Sequence, residues 1–207
     1  MKFTKLELDA LREVLNIGSG HASTALSKLT NKKVNVSFPW VKEYKIEYIP
    51  GLIGEPETHV ATVYLQIDRE MKNEKNPVGG LMIILRKEDA IQLVNLLMNK
   101  DSKELSNIDI DALKEVGNIL TGVSLNVLTK ILNFKMVESI PDISVDMLNA
   151  TMDGVLAHIA DKADEAIVFK TEFEVEKHDI KCYLMFLFNP DINDMLHESI
   201  REVTNVG

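Results

Sequence analysis

The sequence predicts an α/β (α+β) protein: a duplicated unit with pseudo-two-fold symmetry, whose copies share one mixed β-sheet with long helices packed on it. Three observations carry this expectation. One stretch recurs at a fixed offset, a long helical period opens each copy, and apolar runs of strand length follow it. Shifting the chain by 102 residues lays "DALREVLNIGSGHASTALSKLTNKKVNVSFP" (9–39) on "DALKEVGNILTGVSLNVLTKILNFKMVESIP" (111–141) without a gap, and fourteen of the 31 positions are identical. The same offset aligns "GGLMIILRKEDAIQLVNLLM" (79–98) with "KCYLMFLFNPDINDMLHESI" (181–200), where an apolar run and then an amphipathic helical pattern are shared. Chance does not hold one register at both ends of a repeat. The 207 residues therefore read as a single domain of two repeats, about 1–102 and 103–207.

Each copy opens with a long helix, at about 5–30 and 108–132, because apolar residues recur there at helical spacing. A short strand ending at a proline follows ("VNVSF", "KMVESI"). Next come β-like runs: "HVATVYLQI" and "LMIIL" in the first copy, "EAIVFKTEFEV" and "CYLMFLF" in the second. A second helix closes each copy, at about 87–99 and 190–203. Half of this chain alone would leave a sheet edge and an apolar face open, and pairing the halves closes both.

The copies differ after the proline. "WVKEYKIEYIPGLIGEPET" reads as strand and loop, while 143–162 carries Met147, Leu148, Met152, Val155, Leu156 and Ile159 at helical spacing, a helix with no counterpart in the first copy. Asp146, Asn149 and Asp153 share a polar flank of that helix. What breaks the symmetry is either core cover or a surface for a partner that contacts one copy only, and Asp146 is the candidate contact.

Composition narrows the function. An apolar fraction of 45% with 27% charged residues is that of a globular protein, and no apolar run approaches the roughly 20 residues that span a bilayer. No membrane insertion is expected. The start carries acids and no secretory apolar region, which predicts a cytoplasmic protein. The lone Cys182, set in "KCYLMFLF", reads as a buried small hydrophobe. A net charge of −9 with scattered basic residues argues against nucleic-acid binding. The five histidines show no metal-ligand spacing, and no phosphate-cradling glycine motif occurs.

The chemistry lies on a helical stripe. At 100° per residue Asp9, Glu13 and Asn16 fall within about 60° of one another, with Leu11, Val14 and Leu15 on the opposite side. Asp111, Glu115 and Asn118 repeat the arrangement, opposite Leu113 and Val116. A glycine stands four residues after each asparagine, Gly20 and Gly122, where another molecule's backbone has room to approach. Asn is a mediocre helix former, so its repetition on an outward face asks for a reason. Its amide does not titrate, but it donates and accepts at once and so can hold a water in line with an electrophile, as Gln does in phosphoryl transfer. The carboxylate beside it suits a cation of the partner. Metal and lysine must come from elsewhere.

Asp/Ser-x3-Glu-x2-Asn-x22-Pro occurs twice, as Asp9, Glu13, Asn16, Pro39 and as Asp111, Glu115, Asn118, Pro141. This resembles the signature of the CheC/CheX/FliY phosphatases of chemotaxis, and the resemblance covers essentially the whole chain. It implies a phosphatase acting on phosphorylated CheY: Asn16 and Asn118 orient water towards the phospho-aspartate, Glu13 and Glu115 bind a lysine of CheY, and Asp9, Asp111, Gly20 and Gly122 adjoin the partner. No cofactor of its own is implied, since Mg²⁺ belongs to CheY. CheD is a further implied partner, and the internal pseudo-dimer suggests a monomer. The copies depart from each other at Leu15 and Leu120, each standing where the other copy has Gly. The rival reading is a non-catalytic adaptor that binds CheY or regulates the deamidase CheD.

Overall fold

The computed structural model describes residues 3–71, 74–159, 165–175 and 178–205. Helix α1 (Lys5–Thr30) starts on a reciprocal cap: the Thr4 N–H donates to the Glu7 carboxylate at 2.6 Å, and the Glu7 N–H donates to Thr4 Oγ1 at 3.3 Å. Helix α4 (Asn107–Leu132) starts where the Ser106 N–H and hydroxyl donate to Asp109 at 2.7 and 2.8 Å. Adding 102 to the bounds of α1 gives those of α4. The asparagine that both copies share after this helix, Asn31 and Asn133, ends it in the left-handed conformation, with φ of 52° and 54°.

Between them run β1 (Val34–Lys45), a 3₁₀ turn (Ile46–Tyr48), α2 (Pro50–Ile53), β2 (His59–Met71), β3 (Glu74–Arg86) and α3 (Lys87–Met98). After α4 come β4 (Met136–Glu138), β5 (Asp142–Met147), α5 (Leu148–Ile159), β6 (Glu165–Val175), β7 (His178–Phe188) and α6 (Pro190–Asn205). The sheet order is β1-β6-β7-β3-β2-β4, with β5 also on β2. The expected shared sheet is present, but all of its described pairings are antiparallel rather than mixed. Two residues separate β2 from β3, and two separate β6 from β7, too few for the crossover that parallel strands require. β3 and β7 meet at the centre, and each half lays its first strand on the other half's sheet: β1 on β6, β4 and β5 on β2.

Both faces of the sheet are covered. Leu81, Ile83 and Leu85 of β3 and Leu184, Phe186 and Phe188 of β7 join the core beneath α1, α3, α4 and α6. The intervening Met82, Ile84, Met185 and Leu187 form a second core with Ile46, Ile49, Ile53, Leu148 and Met152. Successive strand residues point to opposite faces, which is why the central strands read as unbroken apolar runs. Cys182 is buried among them, and burial pushes its thiol pKa up.

Three expectations need correction. The first strand does not end at its proline: β1 runs through Pro39, and its register on β6 shifts between Ser37 and Trp40. An outer strand tolerates proline at a bulge because one side of its ladder is unpaired. In the second copy the equivalent strand is interrupted there, and Pro141 lies between β4 and β5. Next, the helix expected over 143–162 starts at Leu148, because pairing with β2 holds 142–147 as a strand, with Asp146 opposite Val60 and Met147 opposite His59. Leu148 and Met152 are buried as that periodicity predicts, but Met147, held at the end of β5, is exposed, while 160–162 and the side chains of Val155, Leu156 and Ile159 lie outside the described residues. Finally, α5 does have a counterpart. Adding 102 to Ile46 gives Leu148, so the 3₁₀ turn and α2 are a shortened version of it, with Ile46, Ile49 and Ile53 in the same core.

The capping carboxylates are buried, a feature the sequence patterns do not single out. Glu7 faces His197 at 3.4 Å and Arg201 at 3.8 Å, and Asp109 is paired with Lys100. Burial pulls both carboxyls up, but the Thr4 hydrogen bonds with His197 and Arg201 outweigh it at Glu7, and Lys100 with Ser106 outweighs it at Asp109. Both therefore sit below their ordinary values. A carboxyl lowered by folding stabilises the fold above its unfolded value, about 4, and that contribution is lost as pH falls through the folded value. Glu7→Gln and Asp109→Asn are each expected to cost about 1–3 kcal/mol at pH 7. In urea titrations from pH 7 down to about pH 2, the gap to the wild type should close on the acid side.

Candidate functional site

α1 and α4 lie against each other over the main core, with Leu11 and Leu15 of α1 and Leu113, Val116 and Leu120 of α4 turned inward. The stripe faces outward as its periodicity requires. Glu13 is exposed and accepts a hydrogen bond from Arg12 at 2.9 Å, and Arg12 also reaches Asp9 at 3.6 Å. Such exposed pairs hold a side chain only weakly. In α4 the residue equivalent to Arg12 is Lys114, which contacts Asp111 at 3.9 Å. The exposed Glu115 makes no ion pair among the described residues.

The two asparagines differ. The Asn16 amide donates to the Phe38 carbonyl at 3.1 Å, and its oxygen accepts from the Phe38 N–H at 2.9 Å, so both ends of the group are used on one residue. Two serines of the same helix continue the pattern. Ser23 accepts from the Val36 N–H at 2.9 Å and Ser27 from the Val34 N–H at 2.9 Å. Asn16, Ser23 and Ser27 thus satisfy every second amide along the outer edge of β1, the edge that no described strand covers. This explains part of the motif: Asn16 is bonded to the residue just before Pro39, at the bulge.

In the second copy Leu125 replaces Ser23, and the stitch is not made. The side chain of Asn118, half-buried, makes no hydrogen bond among the described residues. The counterpart of Phe38 is Ile140; Phe38 is 1% exposed and Ile140 is 90% exposed. The structure therefore brings asparagine and proline together in the first copy and leaves Asn118 available in the second. The periodicity of α1 shows the stripe but not this difference, which depends on serines at 23 and 27 that lie outside the shared motif.

A Cβ on Gly20 or on Gly122 would meet nothing within 4 Å, so both glycines front open space, as their place in the stripe predicts. Gly18 and Gly117 are different. A Cβ at Gly18 would lie 3.0 Å from Val127 and 3.2 Å from Val123, where α1 crosses α4, and one at Gly117 would lie 2.8 Å from Val63 of β2. These are the positions at which the other copy has Leu120 and Leu15. Asp146 is exposed on β5, and its carboxylate accepts from the Met147 N–H at 2.7 Å. Paired residues share a face, so it points with Val60 towards the second core, on the side of the sheet opposite α1 and α4. It is not part of either stripe. Among the described residues no group of three or more His, Cys, Asp or Glu side chains is arranged to hold a metal ion, and no helix is long and apolar enough to cross a membrane.

Residues 6–43 and 108–145 each match the CheC-like family, two matches separated by the 102-residue offset of the repeat. The chain is 27% identical over 188 residues to the CheY-P phosphatase CheC of Bacillus subtilis, covering 87% of each chain. It is also 27% identical over 177 residues to the flagellar motor switch phosphatase FliY of that organism, covering 84% of this chain and 43% of the longer relative. The fold is that of FliY from Thermotoga maritima, with a TM-score of 0.77 at 20% identity over 98% of this chain and 99% of that one. It is also that of the FliM middle domain from H. pylori, with a TM-score of 0.62 at 10% identity over 95% and 99%.

The glycines supply a direct check on the geometry. Alanine at the open Gly20 or Gly122 should raise stability by about 0.5–1 kcal/mol, the ordinary gain of Ala over Gly inside a helix. Alanine at Gly117 should lower it by about 1–3 kcal/mol, because the added carbon drives into Val63. Thermal melts of the three variants read out the signs.

Proposed function

We propose that this chain, whose residues 6–43 and 108–145 match the CheC-like family, hydrolyses the acyl phosphate of phospho-aspartate on a CheY-type response regulator. The observation that carries this reading is the outward Glu-x2-Asn pair on α4, where the Asn118 amide is not spent on the fold. Similarity to proteins named CheY-P phosphatase and motor switch phosphatase supports it.

Asn118 accepts from and donates around one water and holds it in line with phosphorus. The water oxygen attacks, the bond from phosphorus to the aspartyl oxygen breaks, and inorganic phosphate and a free carboxylate leave. Such a step needs positioning and charge stabilisation more than covalent help. Glu115 grips a lysine of the regulator's site, and the Mg²⁺ the reaction requires is the regulator's own. The open Gly122 gives the regulator's backbone access to the asparagine.

Asn16 performs the same task in the first copy by releasing Phe38. That gives up two hydrogen bonds, each worth about 1 kcal/mol, so the second copy carries the larger share of turnover. Asn118→Ala is expected to lower dephosphorylation about 30-fold, to the share that the first site carries, with an unchanged melt. Asn16→Ala should lower it less while costing about 1–2 kcal/mol of stability, because it unties β1. The double variant should be inactive. The decay of ³²P-labelled phospho-CheY with and without each variant decides the matter. Wild-type rates in Asn118→Ala would reject the site, and firm binding of phospho-CheY without any acceleration of decay would favour the adaptor alternative.

CheD is carried over as a second partner, to the outer strand β5. Asp146 is exposed there, on a sheet edge and away from both stripes. Charge reversal by Asp146→Lys should abolish CheD binding in a calorimetric titration, and an unchanged affinity would move that interface elsewhere.

A further inference from the structure

The ends of α1 and α3 and the start of α4 enclose a groove of about 290 Å³, lined by Leu29, Leu97, Met98, Ile108, Ala112 and Glu115. Its apolar side chains stand in solvent: Leu29 is 54% exposed, Met98 40% and Ile108 65%. The first copy is built differently here. The offset carries Met98 to Ile200, which is buried, and α6 continues to Asn205, with Arg201 facing Glu7 at 3.8 Å. α3 instead stops at Asn99, in the left-handed conformation with φ of 52°, and the chain turns away. The groove lies between the copies, beside the stripe in which Asn118 is available.

Glu115 is a wall of this groove, and Asn118 lies less than one turn further along the same helix. We infer that the groove is the apolar half of the regulator's docking surface at the second site. It receives an apolar side chain that the phosphorylated receiver domain presents beside its lysine, while Glu115 and the exposed Asp111 form the charged rim. This inference rests on the phosphatase reading, because the occupant is named by continuity with Glu115. The division of labour is that of a protein interface in general. A desolvated apolar anchor supplies affinity, and rim charges supply rate and register. Burying one Ile- or Met-sized side chain is worth roughly one to two decades of affinity.

The test isolates the second site by working in the Asn16→Ala background, with phospho-CheY prepared by acetyl phosphate as the probe. Ile108→Asn and Met98→Gln remove apolar surface without adding charge, at exposed positions where folding is little affected. Each should raise KM about 10-fold while kcat changes less than about twofold, and the pair should raise KM about 100-fold. Leu6→Gln alters the position equivalent to Ile108 in the first copy and should leave KM within about twofold. An unchanged KM in the Ile108/Met98 double variant, with its melt intact and the parent active, overturns the groove and leaves the phosphatase reading standing. So does a dimer in light scattering that the double variant dissolves at constant KM, which would give the groove to a second copy of the chain. A parent with no activity on phospho-CheY overturns the groove, and a wild type with none removes the phosphatase reading as well.

Discussion

Each half of the molecule lends its first strand to the other half's sheet, and the remaining architecture follows from that loan. With β1 on β6, and β4 and β5 on β2, neither half has a complete sheet alone, and the β3–β7 pairing fuses the two into one surface. The long helices travel with their strands. α1 is connected to β1 and α4 to β4, so the exchange brings the two helices side by side over the middle of the sheet. The stripes that carry Glu13 with Asn16 and Glu115 with Asn118 are consequently held on one scaffold, with their inward faces committed to a single core.

The exchange also creates the problem that separates the two copies. A lent strand lies at the outer edge, where half of its amides find no neighbouring strand. In the first copy α1 supplies acceptors from Asn16, Ser23 and Ser27, and β1 stays continuous for twelve residues through its proline. The second copy makes no such stitch; its strand is interrupted around Pro141, and Ile140 turns to solvent. One loss thus has two effects, a broken strand and a released amide. The same side chain type serves the fold on one side and remains free for chemistry on the other.

How much of this is legible in the sequence depends on the range of the interaction concerned. The bounds of α1 and α4 follow almost to the residue, because helical periodicity and end signals are local. The 102-residue offset likewise predicts a shared sheet. Strand direction, the continuation of β1 past Pro39 and the capture of 142–147 by β2 do not follow, since each is decided by a partner far away in the chain. Asp146 illustrates the cost. Its neighbours carry a helical period, yet ladder bonds to β2 prevail over that local preference. At the site, the outward stripe is readable from Leu11 and Leu15 opposite it, whereas the bond between Asn16 and Phe38 spans 22 residues and leaves no periodic trace. The buried Glu7 and Asp109 are hidden for another reason: a carboxylate in the first turn of a helix ordinarily stays wet, and only the fold brings Arg201 and Lys100 to it.

The reciprocal exchange of leucine and glycine decides which copies can pair. Leu15 fills space that Gly117 leaves to Val63, and Gly18 gives way to Val123 and Val127 where Leu120 would not. A dimer of two second halves would set Leu120 against those valines, and a dimer of two first halves would meet Gly18 with small or polar residues, His21 and Ala25, leaving the crossing underfilled. Neither copy therefore has the shape to pair with a duplicate of itself. With the helices packed at unequal depth, exchanging leucine and glycine at one position alone overfills or underfills the crossing, so the shape of each copy is fitted to the other.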